Sequence, residues 1–195
     1  MQGWYSLREI RGHARHLLQQ AIATCDARYA ALPTTARAAD ADGVDAKLAA
    51  TEADVWKNAD AAARSIVCLK SIADHLRHGV PIKDAAREPD LSNAAMMLRQ
   101  ARMSGAMGQE RVDALAAELD NAVRDGTNFA TRLVAELKGL ALTLAMARAN
   151  QRMQWLRRCA QANPDADLCG EIRDAEKHYA AAKLAVNTHR SEARS

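Results

Sequence analysis

The sequence predicts an all-α protein, an elongated antiparallel bundle of five or six helices with coiled-coil-like packing. Three observations carry this expectation. Alanine fills 44 of the 195 positions, and it is the strongest helix former because it has no side-chain freedom to lose. Aromatic residues make up only 4%, and the strand-favouring Val, Ile, Tyr, Phe and Trp are scarce. Apolar residues recur at helical spacing along most of the chain. With 49% hydrophobic and 26% charged residues, the composition is globular rather than disordered. Residues 1–195 are expected to form a single domain, with linkers near 33–43 and 80–90.

The first helix is expected from about Trp4 to Ala31. Leu7, Ile10, Ala14, Leu17, Ala21 and Cys25 form its stripe, with Leu18 and Ile22 at the margin. Pro33 stops it. PTTARAADADG follows as a linker that is partly helical at most. The second helix begins near Asp42 or Val44, and Val55, Ala59, Ala62, Ile66, Leu69, Ala73 and Leu76 alternate spacings of four and three, a coiled-coil seam. Gly79 and Pro81 end it.

A third helix is expected from about Leu91 to Met103, before the Gly105 and Gly108 interruption. The next runs from about Gln109 to Asp125 on Val112, Leu115, Leu119 and Ala122. Gly126-Thr127 offers either a stop with a new N-cap or merely a kink. From Asn128 to Gln161 the apolar residues appear on every side between Leu137 and Ala149, so this stretch is expected to be the central helix or part of an oligomer interface. Asn163-Pro164 should start the last helix, since proline suits the first helical position. Leu168, Ile172, Ala175, Tyr179, Ala182 and Val186 form its stripe, and residues 188–195 should fray.

Function is less legible. The net charge of +3 is mild and the charges are interspersed, which is no footprint of nucleic-acid or membrane binding. Twenty arginines against seven lysines, with the alanine content, point to a GC-rich bacterial genome. The N-terminus lacks the apolar stretch of a secretory signal. The most apolar run, residues 139–147, is about half the length a bilayer span needs. A cytoplasmic location is the expectation, although a processed secreted or periplasmic form would read the same.

Two segments share the pattern Ile-x-x-His-x-Arg-His, giving His13 and His16 on the first helix and His75 and His78 on the second. Histidines three apart can share a metal. All four fall away from the apolar stripes, however, so solvated surface histidines are the expectation and a metal site the weaker alternative. The four cysteines include no Cys-x-x-Cys pair, which argues against a zinc ribbon. Reduced thiols are expected, although Cys159 and Cys169 flank one turn and could pair in an oxidising compartment.

Met96, Met97, Met103 and Met107 concentrate four of the seven methionines in one segment. Flexible, polarisable thioethers suit either gap-filling or an adaptable partner-binding surface. Arg148, Arg152, Arg157 and Arg158 surround Trp155, the raw material of a nucleic-acid patch, though helix-dipole and packing roles explain them as well. Nucleophile motifs and phosphate loops are absent, and no cofactor is implied.

The leading expectation is a non-enzymatic interaction module: an adaptor, a chaperone-like or secretion-associated factor, or a self-assembling scaffold, with a protein partner or self-association. The alternatives are a ligand-sensing or metal-binding bundle using the histidine pairs, and a weak nucleic-acid binder using the Trp155 patch.

Overall fold

The computed structural model describes residues 7–36, 38–83 and 88–193. It is all-α among these residues, with five helices and no strand. They are α1 (Leu7–Ala31), α2 (Ala38–His78), α3 (Pro89–Ser104), α4 (Gln109–Ala162) and α5 (Cys169–Glu192). The expected start of the first helix at Trp4, and the stripe side chains Leu7 and Ile10, lie outside what is described.

Two compact units result, and both α2 and α4 contribute to each. The first comprises Met1–Asn58 with Ala135–Ser195, and the second Ala59–Val134. In the first unit, Cys25, Tyr29, Ala41, Leu48, Met153, Trp155, Leu156, Cys159 and Ala175 form one buried cluster. Here α4 runs antiparallel to α2, since Arg148 meets Glu52 and Arg152 meets Asp45. It also runs antiparallel to α5, since Arg157 meets Glu176 and Gly139 faces His189. Nearly all α4 residues from 139 to 153 are buried or half-buried, in keeping with the all-round apolar pattern that marks a central helix.

In the second unit, Cys68, Leu69 and Ile72 of α2, Ala95 and Leu98 of α3, and Val112, Leu119 and Val123 of α4 make the core. Gly126 lies inside α4 without breaking it. Thr127 does not cap a new helix; its hydroxyl donates to the Val123 carbonyl one turn back, at 2.8 Å. A Cβ at Gly126 would stand 3.3 Å from Leu69 Cδ1, so the missing side chain lets α2 pack close.

Several element boundaries and faces differ from the sequence reading. α2 starts at Ala38, inside the expected linker, because Ala41 is wholly buried in the first core. α5 starts at Cys169 rather than at Pro164. Asn163 is engaged elsewhere: its side-chain amide donates to the carbonyls of Thr34 and Cys159, closing the end of α4. The expected fraying of residues 188–195 does not begin at 188. α5 continues to Glu192, and His189 Nε2 donates to the Ala135 carbonyl at 2.9 Å.

On α1 the stripe is rotated by about one residue. Leu17 is half exposed, and Leu18, Ile22, Cys25, Tyr29 and Leu32 carry the contacts. A similar slip on α4 exposes Leu115 and Ala122 and buries Val123, with Ala116 half-buried. Each of these faces repeats at four and three, so a rotation of one residue preserves the pattern while changing its members.

Candidate functional site

The second unit carries the clearest surface feature. Helix α3 starts with Pro89 in its first turn and ends where Gly105 turns left-handed at φ 62°. It buries Ser92, Ala95 and Leu98 against α2 and α4. Met96, Arg99 and Met103 follow i, i+3, i+7 and continue the row of the buried Ser92, one turn before Met96, so they run along the edge of the buried face. Met96 is 42% exposed and Met103 79%. Met97, 69% exposed, projects roughly 100° round the helix from Met96. Met107 lies past the helix end and is half-buried against the core. The four methionines of the sequence segment therefore divide into a stripe of two, one lone side chain and one core contact.

Beside this stripe is a cavity of about 150 Å³, lined by His75, Leu76, Gly79, Leu98, Arg99 and Arg102 among others. Gly79 ends α2 at φ 68°, where an L side chain would be strained. The turn it makes brings two backbone carbonyls to side chains. Arg99 Nη1 donates to the Gly79 carbonyl at 3.0 Å. His75 Nδ1 lies 2.8 Å from the Val80 carbonyl. A carbonyl only accepts, so Nδ1 carries the proton. Nε2 is buried with no hydrogen-bond partner among the described residues.

His75 corrects the expectation that both histidines of α2 are solvated: it is 7% exposed. The ridge Cys68, Ile72, His75 is buried next to the predicted seam, because α2 packs against two neighbours instead of one. His78, His13 and His16 are exposed, and among the described residues His16 pairs with Gln20 one turn on, at 3.0 Å. Among the described residues, no group of three or more His, Cys, Asp or Glu side chains is placed to hold a metal ion.

The first unit holds a charged network. Tyr29, wholly buried, donates its hydroxyl to Asp45 Oδ1 at 2.5 Å. Arg152 Nη1 reaches Asp45 Oδ2 at 2.5 Å and Asp42 Oδ1 at 2.8 Å. One turn earlier, Arg148 pairs with Glu52 at 3.1 Å. Burial, then the Asp45 hydrogen bond, raises the Tyr29 phenol well above the ordinary tyrosine range. Burial alone would lower Arg152, but its hydrogen bonds to Asp45 and Asp42 outweigh that and hold it more firmly protonated. Burial, reinforced by Asp26 and Asp45, pushes the Cys25 thiol up to about 11. A cavity of about 640 Å³ adjoins this network, with Asp45, Arg148 and Arg152 on one side and Glu171, Asp174 and His178 of α5 on the other.

This network absorbs the proposed nucleic-acid patch. Trp155 is 2% exposed within the first core, so its ring offers no face for base stacking. Arg148 and Arg152 are committed to α2 carboxylates. Arg157 pairs with Glu176 at 2.8 Å, and Arg158 donates to the Tyr29 carbonyl at 2.9 Å. No disulfide joins any of the four cysteines, three of which are buried while Cys169 is exposed.

The sequence reading missed Tyr29, Asp45, Arg99 and His75 as interacting groups. The only local signals were pairs at helical spacing, Asp42/Asp45 and Arg148/Arg152, which place like charges on one face without naming a partner. No protein-family model matches the chain, no curated protein matches it, and no solved structure matches it.

Proposed function

We propose that the protein is a non-enzymatic interaction module that docks a helical partner along the exposed edge of α3. The observation that supports this reading is the stripe Met96, Arg99, Met103, whose two methionines are 42% and 79% exposed. Removing a methionine side chain from water stabilises a complex by up to about 1.5–3 kcal/mol, and an unbranched thioether adapts to a partner's shape. Arg99 lies within the stripe and Arg102 near its end, and neither pairs with a carboxylate among the described residues. The fitting partner is therefore an amphipathic helix whose apolar face is edged by Asp or Glu. An adaptor or a chaperone-like factor would use such a surface.

The test compares capture by the wild type with capture by the double variant Met96→Asp/Met103→Asp, in lysate of the source organism. Both positions are exposed, so the variant should keep its helical content and melt within a few degrees of wild type. A partner bound by wild type and lost by the variant supports the reading. A partner held equally by both would refute it, as would a wild type that binds nothing but itself.

A further inference from the structure

We propose that α3 is a site of methionine oxidation: hydroperoxides convert Met97, Met103 and Met96 to sulfoxides in the native fold, and the change makes the docking edge polar. The consequence for docking rests on the reading above, whereas the modification site does not. Met97 and Met103 are more than two-thirds exposed, and Met96 is 42% exposed. The other described methionines are withdrawn. Met107 and Met146 are half-buried, and Met153 belongs to the first core. Every exposed methionine among the described residues therefore sits on this one helix. Exposure governs how readily an oxidant reaches a side-chain sulfur, so it sets the order of reaction.

In the step, a lone pair of the thioether sulfur attacks one peroxide oxygen. An S–O bond forms and the O–O bond breaks. The departing oxygen keeps the bonding pair and takes the proton, so hydrogen peroxide ends as water and an organic hydroperoxide as its alcohol. Sulfur is oxidised by two electrons and the peroxide is reduced by two. The product is a polar sulfoxide where an apolar side chain stood, and its oxygen accepts hydrogen bonds. Arg99 stands three residues after Met96 and four before Met103, the spacings at which helix side chains meet. It commits one Nη1 contact, to the Gly79 carbonyl, and a guanidinium has five N–H groups to offer. A sulfoxide at either position therefore has a donor in its own row. Oxidation removes apolar area from the edge and draws Arg99 onto its own helix, away from a partner's carboxylates. Both changes weaken docking.

The experiment treats the native full chain with hydrogen peroxide and follows each methionine by peptide mass mapping over time. The expected result is that Met97 and Met103 gain oxygen severalfold faster than Met107, Met146 and Met153, with Met96 between the two groups, while helical content is unchanged. Oxidation of Met107, Met146 or Met153 as fast as Met97 and Met103 overturns the proposal, as does loss of helix before Met97 and Met103 have reacted. This arm needs no partner, so it decides the modification site even if the docking reading fails. A second arm repeats the lysate capture with oxidised wild type and with an equally treated Met96→Leu/Met103→Leu variant, whose leucines stay apolar and helix-forming. Oxidised wild type should hold the partner about tenfold or more weakly, and the leucine variant should keep it. A partner that oxidised wild type retains would overturn the effect on docking and leave the docking reading standing. A reduced protein that captures no partner refutes that reading, and the effect on docking with it.

Discussion

Replacing Tyr29 by Phe removes one oxygen from the centre of the charged network in the first unit. The hydroxyl is wholly buried and donates to Asp45 at 2.5 Å. Its acceptor is ionised, and a hydrogen bond to a charged group contributes about 1.5–3 kcal/mol to stability. Two features hold the cost to the lower part of that range. Asp45 keeps its contact with Arg152, so no uncompensated charge is left behind, a situation that would cost about 3–5 kcal/mol. The ring itself stays, so the core loses almost no volume. The expected loss is about 2 kcal/mol, which for a chain of this size lowers Tm by roughly 4–8 °C. Thermal and urea denaturation followed by far-UV circular dichroism measure it. Asp45→Asn and the double variant then complete a cycle. Since both residues belong to one network, their effects should fall short of additive by about 0.5–3 kcal/mol. If Tyr29→Phe leaves Tm unchanged, or if the two effects simply add, the network does not hold α1 to α2.

The same network makes stability sensitive to alkali. A thiol whose folded pKa is raised holds its proton more tightly in the native state. Its contribution is therefore complete below the unfolded value of 9.0 and is lost as pH rises towards about 11. Tyr29 is shifted in the same direction. Stability should fall by at most about 2–3 kcal/mol from Cys25 over that window, and Cys25→Ala should flatten the decline measured by urea unfolding at stepped pH. A profile equally steep in that variant would remove Cys25 as the cause. Glycines inside helices give a contrasting pair. A Cβ at Gly43 meets nothing within 4 Å, so Gly43→Ala should add about 1 kcal/mol from helix propensity. At Gly139 a Cβ would stand 3.2 Å from His189 Nε2, which donates to Ala135. Gly139→Ala should therefore show a smaller gain or a loss, and equal Tm increases at both positions would contradict the packing of α4 against α5.

Helix content, number and approximate ends were legible because they depend on neighbours in sequence. Alanine-rich segments, Pro33 and Gly79 act on the backbone within a turn or two. The stripe of α5 was read correctly through Val186 for the same reason, since α5 buries one ordinary-width face. The readings slipped where a local signal had a second use. Asn163-Pro164 has the composition of a helix start, but the asparagine side chain is drawn to the carbonyls of Thr34 and Cys159. Gly126-Thr127 has the composition of a break, but the glycine admits Leu69 and the threonine bonds back into its own helix.

The sequence by itself determined that this chain is helical and roughly which residues lie on apolar faces, since a 3.6-residue period is written locally. Only the tertiary structure decided how wide each face is, because width depends on how many helices pack against it. That decision buried His75 beside the predicted seam and left Met96 and Met103 in the open. It also chose the ion-pair partners. Arg148 finds Glu52 at a separation of 96 residues, and Arg152 finds Asp45 and Asp42 at 107 and 110. A charge on a helix face carries no address, and its partner is set only when the core beneath brings two helices together.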